Sequence, residues 1–145
     1  MDQFPVKFSD WFSKQFPDPS NWYRASQRYI RSLAVINMMG YVFGLGERHS
    51  QNLLVDVKTG DVVHIDFDGL FFRGVAKRWQ YMVLFRLTHN MLDLLGPSKE
   101  FNGLFRSSCK ATLKVLRNEI EPIMAVFRPM YHDIMNELPG GPLLL

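Results

Sequence analysis

The sequence predicts a mostly α-helical domain carrying one small β-hairpin. Three observations lead to that expectation. Apolar residues recur at spacings of three and four over most of the chain, as in Phe8, Trp11, Phe12 and Phe16. Two β-branched runs flank a short glycine-containing turn in "NLLVDVKTGDVVHIDF". Hydrophobic residues make up 47% of the 145, enough for a packed core, with no internal repeat and no low-complexity tract.

Taken in order, the stripe from Phe8 to Phe16 is a short helix ended by Pro17, Asp18 and Pro19. Ser20 then reads as the N-cap of a long helix over about Asn21 to Phe43. Its second half is apolar nearly all round, the mark of a helix central to a core, and Trp11, Trp22 and Tyr41 are expected in that core. Gly44 and Gly46 stop the helix. The hairpin is expected to pair Leu53–Val57 with Val62–Asp66. Residues 67–86 lack periodicity and carry Gly69, Gly74, Arg73, Lys77 and Arg78, so a long loop is expected. Thr88 caps a short helix that ends at Gly96. Two amphipathic helices follow, in "SKEFNGLFRSSCKATLKVLRN" and "EIEPIMAVFRPMYHDIM", before the turn-forming tail "ELPGGPLLL".

Composition narrows the function classes. The net charge of +3 comes from arginines and lysines spread along the chain, so no direct nucleic-acid contact is expected. One cysteine, Cys109, excludes an internal disulfide and suits a reducing compartment. The N-terminus has no basic region followed by an apolar core, and so does not read as a signal peptide. The most apolar run, "AVINMMGYVFGLG", is too short to span a bilayer. A soluble intracellular domain with no membrane contact is the expectation.

The chemistry-bearing residues cluster around "GLGERHSQN" and "HIDFD", residues 44–52 and 64–68. Phosphoryl transfer asks the protein mainly for positioning and charge neutralisation. A carboxylate orients the acceptor hydroxyl, and two oxygen ligands hold Mg²⁺ against the phosphates. Glu47 and Asn52 stand five apart on a loop leaving a helix, the interval between the catalytic Asp and the metal-binding Asn of protein kinases. A hairpin then leads to Asp66 and Phe67, in the order catalytic loop, hairpin, Asp-Phe. Each residue alone has a plainer reading. Glu47 is a solvated loop carboxylate, Asn52 a turn cap, and His49 a core histidine bonded to backbone. Asp66 ends an apolar strand, where an unpartnered carboxylate is costly, so a metal or cation is expected beside it. His64, His89 and His132 lack metal-ligand spacing and read as structural, and Arg48 reads as a brace for the loop. Ser26–Gln27 and Ser50–Gln51 are dipeptides that also arise by chance.

"GLGERHSQN" and "VVHIDFD" resemble the catalytic and metal-binding loops of the phosphatidylinositol 3-kinase-related protein kinases (PIKKs), usually G-L-G-D-R-H-x-x-N and H-[IV]-D-F-x. The wider match, through "WFSKQFPDPSNWYRA", "FRLTHNMLDLLGP" and "GLFRSSCKATLKVLRNEIEPIM", is to the ATR branch of DNA-damage checkpoint kinases, over roughly residues 5–133. The resemblance implies the C-terminal lobe of a PI3K/PI4K-type kinase fold, with no N-lobe, over residues 1–138. Within it lie a catalytic loop at 44–52, a metal-binding motif at 64–68 and an activation loop at 66–86, and residues 139–145 form a tail. Residue by residue, it implies Glu47 in place of the catalytic Asp and His49 facing the transferred phosphate. Asn52 and Asp66 would be metal ligands, and Leu54 and Ile65 the floor of the adenine pocket. The cofactors implied are ATP and Mg²⁺, with Mn²⁺ as a substitute. The substrates implied are proteins with Ser/Thr-Gln sites, in the nucleus, under a regulatory partner subunit that engages other regions.

Three departures qualify this. Glu47 carries one methylene more than Asp, a displacement of about 1 Å that can cost roughly a hundredfold in rate. The activation loop has Trp79, Gln80, Tyr81 and Leu84 where the family has prolines and a glutamate before "FRLT". No glycine-rich loop, phosphate-binding lysine strand or hinge precedes the catalytic loop, and no FATC segment follows it. The isolated 145-residue chain is therefore expected to be inactive, because half of an ATP site leaves the phosphates in water. Two other functions stay open. One is a phosphoinositide lipid kinase, with Arg73, Lys77 and Arg78 meeting a headgroup. The other is a non-catalytic binding or decoy module with a sticky apolar face.

Overall fold

The computed structural model describes residues 7–45, 50–67, 70, 86–95 and 103–137. In order these form α1 (Phe8–Gln15), α2 (Pro19–Val42), a 3₁₀ turn (Ser50–Asn52), β1 (Leu53–Val55) and β2 (Val62–His64), then α3 (His89–Leu92), α4 (Leu104–Asn118) and α5 (Ile120–Glu137). The expected mostly helical architecture with one hairpin is present. The chain separates into two units, residues 1–112 and 113–145. No helix of the described residues is long and apolar enough to cross a membrane.

The long helix starts earlier than its sequence suggests. Asp18, not Ser20, is the N-cap: its carboxylate accepts from Asn21 N at 2.9 Å. Pro19 occupies the first helical position, where its missing N–H costs nothing and its fixed φ suits the helix. One face of α2 is buried through Ala25, Tyr29, Ile30, Leu33, Ala34, Asn37 and Met38. That face ends at Met38. Tyr41 is 45% exposed, and Val35, Met39 and Val42 are exposed too, so the expected all-round core helix has one open flank.

The core of the first unit is aromatic at one end. Phe12 is fully buried, its ring centroid 4.7 Å from Phe16 and 6.4 Å from Trp22, which meets it edge-on at 88°. Phe8 stacks on Trp11 at 5.4 Å and leans on Tyr29 at 5.3 Å. Such pairs add about 0.5–1.5 kcal/mol each beyond area burial. Leu33, Ala34, Val62, Leu94, Leu95 and Phe105 continue this core, and Trp11 and Trp22 pack against it half-buried. Burial raises the Tyr29 phenol pKa well above its usual value, and its Oη donates to Met91 O at 3.3 Å, tying α2 to α3.

The hairpin is antiparallel, with Leu53 opposite His64, Leu54 opposite Val63 and Val55 opposite Val62. β1 is shorter than expected because Asp56 engages the turn, and β2 ends at His64, two residues before the left-handed Asp66. Asp56 Oδ1 accepts from Lys58 N at 2.7 Å and Thr59 N at 3.3 Å, and Asp56 O accepts from Gly60 N at 2.8 Å. The Lys58 and Thr59 N–H groups hold the Asp56 carboxyl below its ordinary pKa. Gly60 has φ +80°, a conformation that a Cβ penalises.

In the second unit α5 carries Ile120, Met124, Val126 and Tyr131 exposed, and contains Pro129. His132 is exposed beside Tyr131, and His89 is exposed at the start of α3, so neither is buried as a structural histidine would be. His64 is buried at the end of β2, in keeping with a structural role. Residues Gly46, Gly96 and 138–145 lie outside the described residues.

Candidate active site

The two ends of the hairpin meet where the sequence places its candidate metal ligands. Asn52 closes the 3₁₀ turn just before β1, and Asp66 stands two residues after β2. Ile65 N donates to Asn52 O at 3.1 Å, extending the ladder beyond the strands and fixing their separation. Asn52 Nδ2 lies 3.3 Å from Asp66 Oδ2. A 180° turn of the amide presents Asn52 Oδ1 instead, which gives two hard oxygens on one side of the hairpin. Mg²⁺ is commonly held by one or two protein oxygens plus phosphates and water, so this donor set fits it. Among the described residues no three His, Cys, Asp or Glu side chains gather as a metal cluster.

Asp66 has φ +60°, and among the described residues it is the one non-glycine in the left-handed region. This conformation costs free energy and persists where surrounding structure enforces it, often at functional sites. Here the ladder bond from Ile65 N to Asn52 O precedes the kink and turns Asp66 toward Asn52.

Leu54 and Ile65, expected as an adenine floor, share the outward face of the hairpin with Val63. Leu54 is 47% and Ile65 42% exposed. Strand alternation sends Leu53, Val55 and Val62 inward, leaving that apolar outer face uncovered. Leu54 also borders a cavity of about 300 Å³ lined by Phe8, Trp11, Tyr29, Leu53 and Met91. Glu47, Arg48 and His49 lie outside the described residues, as do Arg73, Lys77, Arg78 and most of the 66–86 loop. Ser26, in the first Ser-Gln dipeptide, is 3% exposed and its Oγ donates to Tyr23 O at 2.8 Å.

Sequence reasoning missed what fastens the hairpin to α2. Ser32 Oγ accepts from Val62 N at 2.8 Å while donating toward Arg28 O and Tyr29 O at 2.9 and 3.1 Å. Arg28 Nε reaches both Asp61 oxygens at 3.2 and 3.1 Å, and its Nη2 also bonds Oδ2. Thr59 Oγ1 donates to the same carboxylate at 2.9 Å. The Arg28 hydrogen bond, aided by Thr59, holds the Asp61 carboxyl below its ordinary pKa. These partners stand about thirty residues apart, so no local pattern announces them.

A model of the family described as phosphatidylinositol 3- and 4-kinase matches residues 1–139. The chain belongs to the phosphatidylinositol 3- and 4-kinase family. Within it, the chain is similar to protein kinase rad3 of Schizosaccharomyces pombe, 42% identical over 137 residues, covering 94% of this chain and 6% of that protein. It is also 42% identical over 130 residues to the serine/threonine-protein kinase ATR of Drosophila melanogaster, covering 90% of this chain and 5% of that one. The fold superposes on the "FAT and kinase domain of CtTel1" with a TM-score of 0.80 and 41% identity, covering 89% of this chain and 9% of that one. The phosphatidylinositol 3- and 4-kinase resemblance drawn from the loop motifs thus holds, with the ATR-type relatives it pointed to. The chain spans about a twentieth of the length of these curated relatives.

Proposed function

We propose that this chain forms the C-terminal lobe of an ATP- and Mg²⁺-dependent serine/threonine protein kinase of the ATR type. Such a kinase acts in the nucleus, in DNA-damage and replication-stress checkpoint signalling, on Ser/Thr-Gln sites. The observation that carries the reading is the Asn52–Asp66 pair, closed at 3.3 Å by a left-handed Asp66 at the foot of the hairpin. The names of the curated relatives support the protein-kinase assignment.

In this reading Asn52 and Asp66 hold Mg²⁺, which neutralises developing phosphate charge. Leu54 and Ile65 receive the adenine face on the apolar outer side of the hairpin. Glu47 accepts the hydrogen bond of the acceptor hydroxyl and orients it, and His49 faces the transferred phosphoryl group. The isolated chain does not turn over, since one lobe leaves the phosphates in high dielectric.

Transplanting residues 1–139 into the corresponding segment of Schizosaccharomyces pombe protein kinase rad3 tests this. Expected is weak phosphorylation of a Ser-Gln peptide, raised about a hundredfold by Glu47→Asp and abolished by Asp66→Ala. A folded chimera that stays inactive with Glu47→Asp refutes the kinase reading. The apolar outer face of Leu54, Val63 and Ile65 also suits a binding module. That second reading takes the lead if the Glu47→Asp chimera is silent.

A further inference from the structure

At the turn end of the hairpin, opposite to Asn52 and Asp66, a second cavity of about 210 Å³ opens between the hairpin and the first turns of α2. Arg24, Arg28 and Lys58 line it with Asn21, Thr59 and Phe16, and no acidic residue is among its described lining. Arg24 and Lys58 form no ion pair among the described residues. Arg28 spends Nε and Nη2 on Asp61, which fixes the guanidinium plane and leaves the N–H groups of Nη1. The nearby carboxylates are already engaged: Asp18 caps α2, Asp56 closes the turn and Asp61 holds Arg28.

We infer that this cavity is a docking site for a phosphorylated serine or threonine side chain on a protein. Arg and Lys groups gathered on one cavity, with Arg28 held in place by Asp61, are the usual recognition chemistry for a phosphomonoester dianion. The volume is below that of pockets taking drug-sized molecules, so it suits one side chain of a longer ligand. Phe16 and Ala25 give an apolar wall for the side-chain carbon. An occupant bridging Arg24 and Lys58 ties α2 to the hairpin turn. The site is separate from the Asn52–Asp66 pair and does not depend on the kinase reading.

The test is an amide NMR titration of the 145-residue chain. The probes are a phosphoserine peptide, its unphosphorylated twin, inorganic phosphate and inositol trisphosphate. Expected are saturable shifts at Arg24, Lys58 and Thr59 with the phosphopeptide alone. Arg24→Ala with Lys58→Ala should weaken binding about tenfold or more, as should raised salt. Lys58→Ala alone, on the exposed turn, serves if the double variant misfolds. Absence of localised shifts, equal binding of the unphosphorylated twin, or unchanged affinity in the variants overturns the site. Binding of inorganic phosphate or inositol trisphosphate as tight as that of the peptide overturns the protein-ligand assignment.

Discussion

Gly60→Ala probes the joint on which the hairpin rests. Gly60 has φ +80°, and a Cβ there meets Ala25 O at 2.8 Å and Ala25 Cβ at 3.1 Å. The left-handed backbone alone costs a residue with a Cβ about 1–2 kcal/mol. Forcing a methyl against helix backbone adds about 1–3 kcal/mol, because α2 is not a flexible neighbour. The sum, about 2–5 kcal/mol, is a large share of the ~5–15 kcal/mol that stabilises a typical domain. Urea unfolding followed by circular dichroism measures it. Ala25→Gly in the same chain removes the 3.1 Å contact but not the 2.8 Å one, so the pair should recover only part of the loss. A single-variant loss under about 1 kcal/mol would refute the argument, because the hairpin would then tolerate displacement from α2.

Ser32→Ala strands the Val62 N–H at a buried position and should cost about 1–3 kcal/mol, while Ser32→Thr keeps the hydroxyl and should cost much less; paired urea curves decide. The Asp61 carboxyl sits below its ordinary pKa of 3.8, so the stability it contributes is full above that value and is lost as pH falls through the lower folded value. Unfolding midpoints should therefore decline below about pH 4, and Asp61→Asn, less stable at neutral pH, should flatten that acid limb. Asp66→Asn should fold like the parent chain, since Asn tolerates left-handed backbone, yet lose Mn²⁺-induced broadening of the Asn52 and residue-66 amide signals. Equal broadening in both chains would remove Asp66 from the metal site.

The sequence by itself determined the helices, the hairpin and the candidate chemistry. Those signals are local: spacings of three and four, two β-branched runs around Lys58–Asp61, and Glu47, His49, Asn52 and Asp66 in a fixed order. It misjudged the places where neighbours compete. Pro19 and Asp18 took the start of α2 from Ser20, Asp56 shortened β1 by capturing turn N–H groups, and β2 stopped short of the left-handed Asp66. Tyr41 was expected in the core because its helix is apolar on every side, yet burial depends on what covers each side, which no spacing states. Only the tertiary structure decided the φ of Asp66, the 3.3 Å approach of Asn52 and the fastening of the hairpin through Ser32, Arg28 and Asp61. Those contacts join residues fourteen to thirty-three positions apart, and a pairing across that distance is chosen by how α2 and the hairpin pack.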